Sequence, residues 1–349
     1  MRDVRSDLAG LTTLRLGGPA RRVVEVVDEQ EIGQIVREGQ NAADRILVLA
    51  GGSNVVVADA GFDGTVLLLR TSGMTVLPDG DGVLVTVAAG EQWDDVVARA
   101  VGEGWSGLEP LSGIPGSAGA TPIQNVGAYG REVAEMVTGV RILDRRTGEI
   151  SVVRPADCGF GYRTSVFKHS ERWIVLDVTF RLPLSKQSAP VRYAELAAAL
   201  DVPIGARADA AEVREAVLRL RAGKGMVLDP ADPDTYSAGS FFTNPVLGTG
   251  AHADLAARAA AVGTVPSWPG EADGTVKISA AWLIERAGFA KGYGDLHVAI
   301  STKHTLALTN RGTGTTAGLL ALAREIRDGV RARFAVDLHP EPVLIDCSL

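Results

Sequence analysis

A glycine-rich segment from residue 111 to residue 130 constrains the fold more than any other part of the sequence. It contains five glycines and two prolines among small residues, with almost no bulky side chain. Glycine allows positive φ and lacks the Cβ that would keep a ligand away from the backbone. Pro115 and Pro122 stiffen the chain, so that its N–H groups can form a concave anion site. This segment, hereafter the second cradle, predicts a ligand-binding loop, and an ordinary surface loop is the alternative.

A shorter segment of the same kind, hereafter the first cradle, covers residues 50–54. The apolar residues 46–50 predict a buried strand, Gly51 and Gly52 a turn, and residues 55–57 another strand. The helix, glycine spacing and lysine of Walker and Rossmann phosphate motifs are missing. A Gly-Gly hairpin without a ligand is therefore one interpretation. The other is that two cradles about sixty residues apart bind a long ligand such as a dinucleotide.

Composition is that of a globular protein with two or three domains. The chain has 349 residues, of which 46% are hydrophobic and 22% charged. Thirty-five basic and 42 acidic side chains give a formal charge of −7. This charge argues against a nucleic acid or an anionic membrane as the main partner. A phosphate site must therefore be built locally.

Targeting and metal signals are both weak in this sequence. The opening residues have no apolar core of signal-peptide length, and no apolar run reaches about 18 residues. We therefore expect a cytoplasmic protein. Cys158 and Cys347 are too few for a disulfide framework or a metal cluster, and five scattered histidines show no ligand spacing. No structural metal is expected.

Hydrophobic periodicity predicts mixed helices and strands, which makes the fold class α+β. The turn-rich stretch 78–82 and the proline-containing stretch 224–234 interrupt the pattern. Helices are predicted near residues 28–40, 93–100, 208–221, 251–262, 279–288 and 315–334. Strands are predicted near residues 23–27, 46–50, 55–57, 65–70, 83–88, 139–144, 150–153, 173–181, 298–300 and 306–309, with an apolar strand at the C-terminus.

Six segments, taken in chain order, are similar to the motifs of one protein family. They are the first cradle and residues 107–116 (GLEPLSGIPG), 122–130 (PIQNVGAYG), 161–165 (GYRTS), 239–245 (GSFFTNP) and 340–341 (PE). The chain resembles the MurB family, the UDP-N-acetylenolpyruvylglucosamine reductases, also called UDP-N-acetylmuramate dehydrogenases. The resemblance covers nearly the whole chain. Tyr193 and the insertion up to Arg221 resemble the longer subtype, in which this tyrosine folds over the substrate.

The resemblance implies an FAD-binding fold of the vanillyl-alcohol-oxidase kind, with two α+β subdomains and a third α+β domain that binds the substrate. We place the first FAD-binding subdomain at residues 1–72 and the second at 73–222. The substrate-binding domain then covers residues 223–338. Residues 339–349 form a C-terminal strand that returns to the active site.

The resemblance also implies the cofactor and its contacts. Many flavoproteins of this wider fold attach FAD covalently to a histidine near the first cradle. The first histidine of this chain is His169, so we expect non-covalent FAD. The implied FAD contacts are Ala50, Gly51, Gly52, Ser53, Asn54, Ile114, Pro115, Gly116, Ser117, Gly119, Gln124, Asn125, Gly127, Ala128, Tyr129 and Gly130.

The implied reaction is a two-step reduction in peptidoglycan precursor synthesis. NADPH first reduces the flavin, and flavin N5 then gives hydride to C3 of the enolpyruvyl ether of UDP-N-acetylglucosamine, which yields UDP-N-acetylmuramate. One site serves both substrates in turn, so the kinetics would be ping-pong. The expected partners are these small molecules only, with neither nucleic acid nor membrane, and the expected state is a monomer.

Three residues carry the implied chemistry, and each has a plain structural alternative. Arg163 would bind the enolpyruvyl carboxylate and stabilise the enolate, although a lone arginine usually lies over a strand at the surface. Glu341 would act beside it, or be only a solvated strand end. Pro342 follows Glu341 where the family usually has valine, so the local backbone departs from the pattern. Ser240 would give the proton to C2 in a pocket kept dry by Phe241 and Phe242, or be only a turn residue.

Further polar residues match substrate positions of the family. A tyrosine and a lysine suit a diphosphate by hydrogen bond and by point charge. His304 matches less securely than the others, and each side chain taken alone is better explained by a solvated surface position. The implied substrate-binding residues are Tyr193, Lys224, Asn244, Lys277 and His304, with Lys303 nearby.

Two other functions remain open at this level. A flavin oxidase of the same fold would act on a sugar or an alcohol with oxygen, but the missing histidine tether and the set of Ser240, Arg163 and Glu341 argue against it. A non-catalytic UDP-sugar sensor would keep the fold, and the intact set of three residues argues against it as well.

Overall fold

The computed structural model describes residues 2–3 and 6–349, which divide into two units. Unit 1 consists of the described residues of Met1–Ser6 together with Ala20–Gly51 and Asp63–Val227. Unit 2 consists of Asp7–Pro19, Gly52–Phe62 and Leu228–Leu349. The division into three domains and a terminal strand stays a prediction.

Four of the seven α-helices in the described residues begin at a capping side chain. Asp28, Asp209, Ser279 and Thr315 each accept a backbone N–H of the first turn, as N-cap residues do. The helices are α1 (Glu29–Asn41), α2 (Trp93–Gly102), α3 (Ala194–Leu200), α4 (Ala210–Gly223), α5 (Thr249–Ala259), α6 (Ala280–Arg286) and α7 (Thr316–Phe334).

The chain combines these helices with sheets that are mostly antiparallel, so the α+β class is confirmed. In chain order the strands are β1 (Arg2–Asp3), β2 (Ala20–Val26), β3 (Ile46–Leu49), β4 (Val55–Val57), β5 (Phe62–Leu69), β6 (Met74–Asp79), β7 (Gly82–Ala88), β8 (Gly127–Ala128), β9 (Arg131–Glu132), β10 (Val137–Asp144), β11 (Ile150–Val153), β12 (Trp173–Pro183), β13 (Val246–Gly248), β14 (Ser267–Pro269), β15 (Thr275–Ile278), β16 (Val298–Ile300), β17 (Leu308–Asn310) and β18 (Val343–Ile345).

Unit 1 contains two larger sheets. The first has the order β1-β2-β5-β3, and β3 runs parallel to β5. The second is antiparallel, with the order β11-β10-β12-β7-β6. Helix α2 buries Trp93, Val96, Val97 and Ala100, as the sequence predicts. The Trp93 indole also donates to the carbonyl of Leu111 at 3.1 Å, so this core residue fixes the start of the second cradle.

Unit 2 is built from smaller sheets around α7. Its sheets have the orders β13-β15-β14 and β16-β17, and β18 runs parallel to β4. The predicted apolar stripe of α7 is confirmed, because its members are buried in the unit 2 core: Leu319, Ala323, Ile326, Val330 and Phe334.

Some local predictions are wrong, each for a physical reason. Pro78 was expected in a turn, but it lies in β6 opposite Val83, and the turn is confined to Gly80 and Asp81. Because β6 is the edge strand, the missing N–H of proline costs no ladder bond. The Gly-Gly hairpin is also wrong, because β3 pairs with β5 whereas β4 pairs with β18.

The N-terminus of α7 provides a test of how its position is maintained. The carboxylate of Asp59, just after β4, accepts Thr316 N and Ala317 N, both at 2.8 Å. We expect Asp59→Ala to lower the free energy of unfolding by about 1–2 kcal/mol, as loss of an N-terminal cap does. Urea unfolding measures this change. Asp63→Ala is the matched control, because its side chain is 89% exposed, and it should change stability by less than about 0.5 kcal/mol.

Candidate active site

Within unit 1, Gly51 of the first cradle meets the second cradle. A Cβ placed on Gly51 would lie 2.6 Å from Cα of Gly116, so the two backbones touch where neither has a side chain. Gly116 has a φ of 117°, which favours glycine. The structure gives the N–H groups of Gly51 and Gly116 no hydrogen-bond partner among the described residues. These donors are therefore available to an anion.

Neighbouring strands and loops fix the path of the second cradle. Ala118 N donates to Glu91 O and Gly119 N donates to Ala89 O, both at 2.9 Å. A Cβ on Gly119 would lie 2.4 Å from the Cβ of Ala89, so no larger residue fits there. The Ser117 hydroxyl is buried and has no hydrogen-bond partner among the described residues. Such an orphaned hydroxyl indicates a polar partner that the chain itself does not supply.

The first cradle crosses from unit 1 to unit 2 between Gly51 and Gly52. At its start, the carbonyl of Ala50 accepts from the Arg70 guanidinium at 2.8 Å. In unit 2, Gly52 has a φ of 59°, and a Cβ there would lie 2.0 Å from the carbonyl oxygen of Leu11. At its end, Asn54 O accepts Val343 N at 3.0 Å. Ala50 is thus bound within unit 1, whereas Gly52 and Asn54 contact residues of unit 2.

The last four residues of the second cradle, 127–130, form the first strand and the turn of a hairpin whose second strand is β9. Tyr129 and Gly130 make its two-residue turn, and both have positive φ, at 50° and 78°. This is the geometry of a type I′ turn, whose twist suits a tight hairpin. Gly130 is exposed, and the other predicted cofactor residues here are half-buried: Ile114, Pro115, Gln124, Gly127, Ala128 and Tyr129.

Arg163 lies at the tip of a tight turn in unit 1. Gly161 and Thr164 exchange backbone hydrogen bonds of 3.1 and 3.2 Å across this turn. Arg163 has a φ of 55°, an uncommon conformation for a residue with a long side chain. Its guanidinium donates to the carbonyl of Gly127 at 2.6 Å. An arginine that only covered a strand at the surface would not need this hydrogen bond to the second cradle.

Ser240 and Glu341 are neighbours in unit 2. Glu341 N donates to the carbonyl of Phe241 at 2.9 Å, and Phe242 forms an antiparallel bridge with Pro340. The segment is fixed on its other side by Phe241 N, which donates to Leu306 O at 2.7 Å. The structure gives the Ser240 hydroxyl no hydrogen-bond partner among the described residues. A half-buried hydroxyl therefore lies one residue from the backbone that carries Glu341.

The two phenylalanines next to Ser240 have a structural role. Phe241 and Phe242 are each only 1% exposed, and both belong to the hydrophobic core of unit 2. Their rings meet edge to face with centroids 5.1 Å apart. They therefore anchor the segment in the core of unit 2. Their predicted role in keeping the pocket dry stays a prediction.

Tyr193 and Lys224 both contact Tyr129 in unit 1. The Tyr193 ring packs edge to face on Tyr129 at 5.5 Å, and Tyr193 is 46% exposed. Lys224 Nζ lies 5.8 Å from the centre of the Tyr129 ring and donates to the Glu195 carboxylate at 2.5 Å. Burial raises the pKa of Tyr129 to about 12, so its phenol is a hydrogen-bond donor at neutral pH.

The other predicted substrate residues lie in unit 2. The side-chain oxygen of Asn244 accepts Ala280 N at 2.9 Å, so it supports the start of α6. Lys277 lies on β15 between Val246 and Trp268. His304 is half-buried in the loop between β16 and β17. The neighbouring Lys303 is bound to the Asp232 carboxylate at 2.6 Å.

Sequence reasoning missed three residues around these positions. Glu195 neutralises Lys224, and Glu132 accepts from the Asn125 amide at 2.6 Å. Arg221 lies on α4, and burial lowers its pKa to about 10. None of them belongs to the motifs, and only their three-dimensional contacts identify them.

Other functional signals are absent from the described residues. In residues 2–3 and 6–349, no group of three His, Cys, Asp or Glu side chains could hold a metal ion. Nor does any helix in that part of the chain have the length and hydrophobicity needed to cross a membrane.

Comparison with known proteins identifies the family. Residues 230–345 match the C-terminal domain of UDP-N-acetylenolpyruvoylglucosamine reductase, and residues 20–154 match an FAD binding domain. The UDP-N-acetylenolpyruvoylglucosamine reductase of Salinispora arenicola is 61% identical over 351 residues, which cover 99% of this chain and 96% of the relative. The chain belongs to the UDP-N-acetylenolpyruvoylglucosamine reductase family. The resemblance inferred from six motifs is thereby confirmed.

Further members of the reductase family agree. The enzyme of Mycobacterium tuberculosis is 54% identical over 355 residues, which cover 98% of this chain and 95% of the relative. The crystal structure of the MurB reductase from Thermus caldophilus superposes with a TM-score of 0.68 at 26% identity, over 99% of both chains. Members of this reductase family align along their whole length.

The residues of unit 1 fit the FAD that the matching domain implies. An FAD diphosphate needs backbone donors at a place that side chains do not block. Gly51 and Gly116 provide unpaired N–H groups at a contact with no Cβ, and Ser117 provides a hydroxyl without a partner in the described chain. The glycines of the two cradles are therefore suited to hold this group.

The contact between Gly51 and Gly116 gives a test of cofactor binding. We expect Gly51→Ala to weaken FAD binding at least about tenfold, which corresponds to about 1.4 kcal/mol, because the new Cβ would meet backbone rather than a movable side chain. Fluorescence titration of the apoprotein with FAD measures this. Gly102→Ala is the control, since a Cβ at the end of α2 meets nothing within 4 Å. Unchanged affinity in Gly51→Ala would contradict the assignment.

Proposed function

We propose that the chain reduces the enolpyruvyl ether of UDP-N-acetylglucosamine to UDP-N-acetylmuramate, with FAD as cofactor and NADPH as electron donor. Family membership and the FAD binding domain support this activity. The single observation that supports the catalytic assignment is the hydrogen bond from Glu341 N to Phe241 O, which pairs the backbone of Glu341 with the residue next to Ser240. The reaction supplies a precursor of peptidoglycan, and the proposed location is the cytoplasm.

Ser240 is the proposed proton donor to C2 of the enolpyruvyl group. When bound, FAD supplies the hydride for C3 after it has been reduced by NADPH. The Ser240 hydroxyl has no protein acceptor in the described chain, so its proton can be directed to the substrate. The core positions of Phe241 and Phe242 prevent this segment from shifting. A fixed donor is effective because general acids must lie within hydrogen-bond distance of the reacting atom.

Arg163 is the proposed binding group for the enolpyruvyl carboxylate. Negative charge develops on this part of the substrate when hydride reaches C3, and a preorganised cation lowers the free energy of that state. The hydrogen bond to Gly127 O fixes one edge of the guanidinium before the substrate arrives. Glu341 is proposed to work on the same group by polarising or protonating it.

The remaining proposed contacts bind the UDP part and the sugar. They are Tyr193, Lys224, Asn244, Lys277 and His304. Lys224 and Tyr193 are supported by their shared contact with Tyr129, and Lys224 would exchange its Glu195 partner for a phosphate oxygen. The proposed oligomeric state is a monomer, with small molecules as the only partners.

Non-covalent FAD leads to a simple prediction. No histidine precedes His169 in the chain, so no tether of the histidyl kind can form near the first cradle. Acid precipitation of the holoenzyme should release all yellow colour into the supernatant. Colour that stays with the pellet would contradict the proposal. A protein that is purified without flavin and binds none would favour the sugar-sensor alternative.

Ser240→Ala should separate the two half-reactions. We expect NADPH to reduce the flavin at nearly the wild-type rate, because Ser240 takes no part in that step. Reoxidation by the enolpyruvyl substrate should fall by about 10² to 10⁴, the usual contribution of a positioned proton donor. Ser240→Cys should recover part of this rate, since a thiol can also donate. Stopped-flow absorbance measures both steps. Wild-type reoxidation in Ser240→Ala would leave Glu341 as the candidate acid.

Arg163→Ala should also affect mainly the second half-reaction. We expect reoxidation to fall by about 10² to 10³, as for the loss of one preorganised donor. Arg163→Lys should recover little, because the ammonium group lacks the planar fork that binds a carboxylate bidentately. The same stopped-flow measurement applies, and Arg154→Ala serves as a control with a guanidinium in an exposed salt bridge. Equal losses in both half-reactions would make Arg163 a structural residue.

A further inference from the structure

We infer that Asn125 is a positioning residue that holds Arg163 in its working conformation, rather than a residue whose side chain binds the cofactor. This inference rests on the proposed role of Arg163. Asn125 is 1% exposed, and its side-chain amide is used entirely within unit 1. Its Nδ2 donates to Glu132 at 2.6 Å and to Gly161 O at 3.2 Å, and its Oδ1 accepts Ala134 N at 3.2 Å.

Asn125 contacts both the turn that carries Arg163 and the guanidinium of Arg163. Through Nδ2 it binds Gly161, which is the first residue of the tight turn that carries Arg163. Through its main-chain carbonyl it accepts from the Arg163 guanidinium at 3.5 Å, next to the shorter bond of that guanidinium to Gly127 O. One buried residue, Asn125, thus contacts both the start of the turn and the guanidinium of Arg163.

Glu132 fixes the orientation of the Asn125 amide. A carboxylate only accepts hydrogen bonds, so Nδ2 must face it. A flipped amide would place Oδ1 against the Glu132 carboxylate and Gly161 O, and Nδ2 against the Ala134 N–H. Glu132 also lies close to the guanidinium region, because a Cβ on Gly127 would lie 2.7 Å from Glu132 Cγ and 3.0 Å from Arg163 Nη1.

Backbone conformation supports the same role. Asn125 and Arg163 have φ values of 48° and 55°. Asparagine adopts this region more readily than most residues, whereas arginine does so rarely. Strained conformations persist only where the surroundings impose them, and they cluster at functional sites. The hydrogen bonds from Asn125 to Gly161 and to the guanidinium act on this turn together with the bond from Lys168 Nζ to Arg163 O at 2.9 Å.

The test uses Asn125→Ser in the FAD-loaded enzyme. The shorter side chain cannot reach Glu132 and Gly161, so the turn should relax and move the guanidinium. We expect reoxidation by the enolpyruvyl substrate to fall by about 10- to 100-fold, the scale of a misplacement of about 1 Å. Flavin content and the rate of reduction by NADPH should stay near wild type. Glu132→Gln should cause a smaller loss of the same kind.

A double-mutant cycle separates positioning from general damage. In an Arg163→Ala background, Asn125→Ser should change reoxidation by less than about twofold, because the residue through which Asn125 acts is gone. Asn310→Ser is the matched control, a buried asparagine of unit 2 whose amide donates to Leu14 O and Arg15 O. It should lower stability and leave both half-reactions unchanged.

Each alternative outcome is decisive. Loss of flavin, or equal losses in both half-reactions of Asn125→Ser, would overturn the inference and make Asn125 a cofactor or folding residue. An undiminished effect in the Arg163→Ala background would overturn it as well. The wild-type enzyme is the separate check on the proposed function, because failure of the enolpyruvyl substrate to reoxidise its flavin would refute that activity irrespective of Asn125.

Discussion

The close approach of two glycine backbones is the contact on which the proposed FAD site of unit 1 depends. Gly51 ends the run that begins as β3, and Gly116 lies in the loop after α2. A single added carbon would collide with backbone there. The second cradle is held at this distance by Trp93, whose N–H binds Gly116 O at 3.0 Å and whose indole binds Leu111 O. The core residue Trp93 therefore helps to fix the path of a loop that has few bulky side chains.

Unit 2 uses its C-terminal strand in a comparable way. Strand β18 pairs with β4, and Val343 N binds Asn54 O at the end of the first cradle. Two residues earlier, Glu341 N binds Phe241 O beside Ser240. One short segment thus completes part of the cofactor loop and delivers a proposed catalytic carboxylate. Pro342, the departure from the family pattern, is buried between these two bonds and interrupts neither, because proline lacks only an N–H.

The sequence allowed the regular parts of the fold to be predicted where periodicity was long. Helix α7 has 19 residues and its stripe was predicted correctly, whereas α3 has seven and was missed. The sheet β13-β15-β14 was missed because its short strands include glycine, proline or polar residues, whereas the equally short β4 and β16 are uninterrupted apolar runs. The motifs identified the proposed site residues, but they did not predict the contacts of the Asn125 side chain. Its role depends on bonds to residues 7, 9 and 36 positions away, which no local pattern contains.

The proposed binding of a phosphate by Lys224 does not require a positively charged chain. The chain carries a formal charge of −7. Its net charge therefore does not attract an anionic UDP-sugar over a long range. Lys224 is instead held by Glu195 at 2.5 Å and faces the ring of Tyr129, which stays protonated because burial raises its pKa to about 12. A phosphate that reaches this lysine replaces one anionic partner with another, so the ammonium group need not lose its charge-assisted hydrogen bond. We propose that recognition depends on the positions of Lys224, Tyr129 and Tyr193, because an anion that replaces the carboxylate must also fit beside both rings.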